Sequence, residues 1–392
     1  MGKPIEALVE STLLAWARKS AGFETEDAAK RARVPMDMLV AWEHGERRPT
    51  VTQLRALGKV YRRPLAIFYL PEPPKDWKPL RDFRRLPGQV AGIRSPELTF
   101  EIRRAHDRRA LALELIADLD ETPPTFALHA TLTDDPERLG ARIRETLGIA
   151  STASDAGLDR YAAFNRWRDA CENVGVLVFQ ASDVDPSEAR GFSLADHPLP
   201  AAVVNMKEHP HGRLFTLLHE VVHILLRRDG LCDLVEDTER PPEADRVEVF
   251  CNRVAGATLV PRESLLAEGT VRAHGRNPDW SDDVLLEIGR RYGVSREVVL
   301  RRLLLLGHTT QAFYEATRRR YLREYAGRPK PGGFAPPHLV ALGRVGPRFA
   351  RLVLEASHRE RITLADVAEC LEVRLKHVPK IEAKILGAPV ET

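Results

Sequence analysis

The stretch Phe215–Leu226, FTLLHEVVHILL, limits what this chain can fold into more than any other. Leu217, Leu218, Val221, Val222, Ile224 and Leu225 make it apolar on most faces, the pattern of a helix buried in a core. Yet His219, Glu220 and His223 sit in its middle. Burying a titratable group is costly without a partner, so the fold must supply partners for all three. Residues four apart share a helix face, about 6 Å apart along the axis. His219 and His223 can therefore point at one metal ion, and Glu220 can reach a water on it. This is the HExxH spacing, with two imidazoles on Zn²⁺ and a glutamate as general base. With 13 histidines and 56 acidic residues in 392 positions, chance would produce a match about 0.06 times. The motif alone is therefore a hypothesis that needs further residues.

A catalytic zinc needs a third protein ligand and an open fourth position. Downstream lies RVEVFCNRVAGATLVP, Arg246–Pro261. Glu248 is 25 residues past His223, room for a loop and a returning helix. Asn252, four further on, shares its face and can hydrogen-bond a liganding group from behind. Asp233, Glu236, Asp237, Glu239, Glu243 and Asp245 are rival carboxylates in the intervening loop. Glu248 is preferred because it opens an apolar helical stretch (Val249, Phe250, Val254, Ala255, Leu259) that must pack on the core.

The rest of the chain supports a mainly α fold with a small β-sheet, an α+β protein. VGVLVFQ (Val174–Gln180) and PAAVVN (Pro200–Asn205) read as strands. A Pro- and charge-rich segment, Tyr69–Gly88, and a second break, Gly327–Pro337, divide the helical stretches. The expected domains are 1–70, a linker 71–94, a central domain 95–326 and a C-terminal helical domain 327–392. Three stretches, near 25–45, 284–305 and 363–385, have a helix-turn-helix rhythm. The second is expected to pack on the central domain. A formal net charge of +3 is too balanced to imply nucleic acid by itself. Cys171, Cys232, Cys251 and Cys370 form no CxxC pair and read as reduced thiols. Glu6 and Glu10 interrupt the place of a signal-peptide core, and no uncharged apolar run approaches the roughly 18 residues of a membrane helix. The expected location is the cytoplasm.

LFTLLHEVVHILL followed by VEVFCNRVAGATLVP resembles the ImmA/IrrE family of zinc metallopeptidases. That family reads FTxxHExxH, then E, N four residues later, and an LxP ending. The resemblance runs from about Arg104 to Ala356 and includes RGFSLADHPLPAAVVNMK upstream. It implies a gluzincin core, with His219, His223 and Glu248 on zinc and Glu220 as catalytic base. Hydrolysis then follows: Glu220 takes a proton from water and delivers it to the leaving amine. The family's oxyanion-stabilising group is not placed; His209, His211 and Tyr292 are candidates. AAVVN is expected at the sheet edge, where substrate backbone would add as a further strand.

Phe23–Tyr61 resembles an XRE-type (Cro/repressor-like) helix-turn-helix, with WEHG and PT closing the motif. Base readout needs polar or basic groups at the start of the recognition helix. Here that start is Pro35-Met36-Asp37-Met38, and Glu24, Glu26 and Asp27 lead the preceding helix. Arg31, Arg33, Arg47 and Arg48 remain candidate contacts to a DNA backbone, duplex or single-stranded. The alternative use of this module is protein contact or homodimerisation. The resemblances together imply an endopeptidase whose protein substrate is a helix-turn-helix repressor, cleaved in a stress or mobile-element response. The rival reading is a DNA-binding transcriptional regulator with a peptidase-like sensor. Glu220 argues against it, since a sensor needs no base.

Overall fold

The computed structural model describes residues 5–74, 94–150, 160–228, 230–232, 242–326 and 335–387. They form two compact units, divided after Arg104. The smaller unit contains helices α1 (Ser11–Ser20), α2 (Thr25–Ala32), α3 (Met36–Glu43) and α4 (Val51–Val60), and a 3-10 turn at Leu65–Tyr69. It also takes the start of α5 (Pro96–Asp118). Leu14, Ala17, Phe23, Leu39, Trp42, Leu57, Tyr61, Phe68 and Phe100 close its core. Arg18 joins α1 to α3. Its Nε donates to Glu43 Oε1 at 2.7 Å, its second guanidinium arm to Oε2 at 2.8 Å, and a third N–H to the Phe23 carbonyl. The pair is largely buried, so removing one partner would leave the other charge without compensation. Arg33 holds the left-handed conformation that ends α2. Thr50 and Gln53 form a reciprocal capping box that starts α4.

In the larger unit α6 (Pro136–Thr146) and α7 (Arg160–Asn173) precede β1 (Leu177–Ala181), β2 (Gly191–Leu194) and β3 (Ala201–Asn205). Then come α8 (Pro210–Leu225), β4 (Gly230–Cys232) and α9 (Pro242–Leu259). Every residue of β1, β2 and β3 is buried, which explains why these strands read as continuous apolar runs rather than alternations. The sheet order is β1-β3-β2-β4. β1 runs parallel to β3, and β2 is antiparallel to both β3 and β4. AAVVN is therefore an interior strand, paired on both sides, and not the edge expected from sequence. The reason is β2, whose residues Gly191–Leu194 pair with Ala201–Val204 and occupy the position a substrate strand was to take.

Helix α8 packs against β2, β3, α7 and α9. Helices α6 and α9 approach closely. A Cβ on Gly140 of α6 would lie 2.9 Å from the Thr258 backbone nitrogen, so only glycine fits there.

Helices α10 (Arg262–Ala267), α11 (Gly269–His274), α12 (Asp282–Tyr292), α13 (Arg296–Leu305) and α14 (Gln311–Ala326) follow. The α12–α13 pair turns at Gly293 and is capped at Ser295. Its Leu285, Ile288, Val299, Leu300 and Leu303 share the core of α8 and α9. Arg302 donates from α13 to the Val260 carbonyl and to Glu137.

The C-terminal helices are α15 (Pro337–Val345), α16 (Pro347–His358), α17 (Leu364–Cys370) and α18 (Val378–Leu386). They belong to the larger unit. Gln180 donates to the Gly343 carbonyl at 2.7 Å, Phe179 meets Phe349 edge to face, and Glu172 accepts the Arg348 backbone N–H at 3.0 Å. The sequence divided the chain at 70, 94 and 326; the units instead divide within α5, and these contacts tie the last helices to β1 and α7. Residues 75–88 of the first Pro-rich segment and residues 327–334 of the second lie outside the described residues. Cys171, Cys251 and Cys370 are free thiols; the side chain of Cys232 lies outside the described set. Among the described residues no helix is long and apolar enough to cross a membrane.

Candidate metal centre

Pro210 occupies the first turn of α8, where its missing N–H is not needed. From Leu214 to Leu225 every side chain is buried, because the helix lies inside a shell of strands and helices. His219, Glu220 and His223 are fully buried with it. The four-residue spacing brings His219 Nε2 and His223 Nε2 to 3.1 Å. Glu248, in the second turn of α9, closes the group. Its Oε2 lies 3.3 Å from His219 Nε2 and its Oε1 3.2 Å from His223 Nε2. One ligand atom from each of the three falls within 4.8 Å of the others.

The electrostatics prepare each group differently. Desolvation, against the pull of Glu248, keeps His223 below its ordinary pKa and so neutral. Desolvation also acts to raise Glu248, but His219 and His223 outweigh it and hold the carboxyl below its usual range. A neutral imidazole and an ionised carboxylate are the forms that bind metal. Asn252 Oδ1 lies 3.0 Å from His219 Nδ1. With that nitrogen donating to Asn252, the lone pair of His219 is at Nε2, toward the other two donors. Two imidazole nitrogens and a carboxylate, dry and converging, fit a divalent cation.

Glu220 stands apart from this donor group. Among the described residues neither of its oxygens finds a hydrogen-bond partner. Desolvation first, and then the charge of Glu248, raise its pKa well above the ordinary value; Ser193 opposes this weakly. Ser193 Oγ is itself buried, and the two do not close a hydrogen bond. Neighbouring Gly191 admits the carboxylate. A Cβ there would lie 2.6 Å from Thr216 Cγ2 and 2.9 Å from Glu220 Oε1. Sequence reasoning passed over Ser193 and Gly191. The one available signal was a glycine inside a strand-like run, RGFSL, which marks a close approach by another element.

Asp245 is exposed on α9, the side chain of Glu243 is not described, and Asp233, Glu236, Asp237 and Glu239 lie outside the described residues. Of the oxyanion candidates, the two histidines lie at the far end of α8 from the centre. His209 caps α8, ten residues before His219, roughly 15 Å along the helix; His211 sits in the same first turn. The Tyr292 hydroxyl is engaged by Ser264 at 2.7 Å and by Glu268.

In the smaller unit, Arg31 pairs with Glu97 and lies over the Phe23 ring. Arg33, Arg47 and Arg48 are exposed, and Arg47 touches Met38 Sδ on α3. Met36 and Asp37, at the start of α3, are exposed too.

No curated protein matches this chain. Residues 171–304 match the family model described as the IrrE N-terminal-like domain, Peptidase_M78. That span is narrower than the resemblance running from Arg104 to Ala356, and it includes both α8 and α9. Residues 171–304 are thus similar to a peptidase domain, and within that span lies the buried group His219, His223 and Glu248 that could hold a metal ion.

Proposed function

We propose that the larger unit is a zinc-dependent endopeptidase in which His219, His223 and Glu248 hold the metal and Glu220 is the base. The observation that carries this reading is the convergence of two Nε2 atoms and one carboxylate at 3.1–3.3 Å, with the Glu220 carboxylate next to them lacking a hydrogen-bond partner among the described residues. Zinc, when bound, supplies Lewis acidity toward a water and a peptide carbonyl. Glu220 takes the proton of the attacking water on a carboxylate oxygen and passes it to the leaving amine nitrogen. Asn252 keeps His219 in the ligating tautomer, and the apolar shell of α8 excludes bulk water.

The interior position of β3 moves the substrate. In this proposal an extended peptide adds instead at β4, the outer neighbour of β2 among the described strands, because β2 carries Ser193 and Gly191 against Glu220. The substrate in this proposal is a helix-turn-helix repressor in the cytoplasm, and the smaller unit is an XRE-type helix-turn-helix. Two eight-residue helices, α2 and α3, joined through the left-handed Arg33, support that assignment. Exposed Arg33, Arg47 and Arg48 supply backbone contacts to DNA.

The test pairs metal content with proteolysis. The purified protein should hold about one zinc per chain, and Glu248→Ala should lose it. Glu220→Gln should keep the zinc and abolish cleavage of an unfolded peptide. Wild-type cleavage by Glu220→Gln would sink the mechanism.

A further inference from the structure

The C-terminal segment distributes its charge unevenly. Four of its arginines are engaged: Arg344 by Ser182 and Glu372, Arg351 by the Ile385 carbonyl, Arg359 by Glu355 and Glu121, Arg361 by Asp120. The acids between residues 372 and 387 are engaged as well, Glu372 by Arg108 and Glu382 by His358. Arg374, Lys376, Lys380 and Lys384 are exposed, and no ion pair is seen for them among the described residues. The three lysines recur every fourth residue through the 3-10 turn Leu375–His377 and α18, so they form one stripe about 12 Å long. Val378 and Ile381 anchor the opposite face in the core. Desolvation, and after it the charges of Lys376, Lys380, His338 and Arg374, hold His377 below its ordinary pKa. Like charges four apart repel and weaken a helix. The fold thus keeps a cationic stripe that nothing seen in the chain compensates.

We propose that α18 and the turn before it bind the phosphate backbone of duplex DNA through Arg374, Lys376, Lys380 and Lys384. Lysine ammonium groups on flexible stems suit an evenly charged polymer, whereas a single carboxylate partner favours the bidentate fork of arginine. A duplex offers such regular charge along its length. The three lysines carry no amide or fork group for reading bases, so they bind without sequence preference. This contact is independent of the peptidase reading and separate from the arginines of the smaller unit.

The experiment uses the full chain and a labelled mixed-sequence duplex of about 20 base pairs, titrated by fluorescence anisotropy from low to physiological salt. The triple variant Lys376→Gln, Lys380→Gln, Lys384→Gln should bind about tenfold or more weakly at low salt. Its log–log salt slope should flatten by about 3, near 0.9 per lost phosphate contact. Its melting temperature and peptide hydrolysis should match the wild type, which separates lost contact from lost fold. An Arg47→Gln, Arg48→Gln variant reports the smaller unit's share. Three results would overturn the proposal: unchanged affinity and slope in the triple variant, no duplex binding by the wild type at low salt, or lysine-dependent binding of polyglutamate as tight as that of the duplex. The last would make the partner an acidic protein.

Discussion

Asn252 and Gly191 show how single atoms set this site. Asn252 Oδ1 meets His219 Nδ1 at 3.0 Å and fixes which ring nitrogen is available. Asn252→Ala should therefore weaken metal retention by about 10–100-fold, measured by chelator competition. Wild-type affinity in that variant would mean that packing alone orients the ring. Gly191→Ala places a methyl 2.6 Å from Thr216 and 2.9 Å from Glu220 and the Val203 carbonyl. Overpacking of this kind costs about 1–3 kcal/mol. We expect a lower melting temperature and lost hydrolysis with zinc still bound; a fully active Gly191→Ala protein would show that β2 can withdraw from α8. At this scale much of the site was legible. His219, Glu220 and His223 follow from spacing on one helix, and Glu248 from the apolar helix it opens. Ser193 and Gly191 were not, because their importance lies in touching α8 across the sheet, which strand-like sequence does not encode.

Among the elements, the junction of α7 with α16 carries a buried carboxylate. Glu172 Oε2 accepts the Arg348 backbone N–H, while Oε1 finds no donor among the described residues. Burial, only partly offset by Arg168 and that N–H, lifts its pKa to about 7 from 4.5. A carboxyl raised on folding is neutral in the native state at low pH. Its favourable contribution is complete below the unfolded value and is lost as pH rises through about 7. Glu172→Gln keeps the acceptor and removes the charge. It should stabilise the protein at pH 8 by up to about 3 kcal/mol and change little at pH 5. Chemical unfolding at both pH values measures this, and equal effects at the two would show that Glu172 is not the titrating group. The sheet teaches the same lesson differently. Apolar runs identified β1 and β3 as strands, but a fully buried strand looks alike in the interior and at an edge. Only the pairing of Gly191–Leu194 with Ala201–Val204 decides that β3 is inside.

For the whole molecule, the arrangement into units yields its own expectation. His219, Glu220, His223 and Glu248 all belong to the larger unit. Deleting residues 1–70 should leave hydrolysis of an unfolded peptide intact and lower the salt slope of duplex binding, with a residue of binding retained through α18. Loss of hydrolysis on deletion would show instead that the smaller unit is part of the catalytic fold.

The sequence by itself determined a mainly helical protein with a small sheet, and the helix that carries HExxH. It also determined the returning helix that carries Glu248 and Asn252. These are properties of periodicity and spacing within single helices, which local geometry decides. Only the tertiary structure decided that Glu248, 25 residues beyond His223 and 29 beyond His219, converges with them within 4.8 Å. It alone placed AAVVN between two strands, and joined the C-terminal helices to β1 through Gln180 and Phe349. Those outcomes depend on which surfaces pack together. An apolar stretch states only that it must be covered, and the neighbour that covers it is chosen by the shape of the whole core.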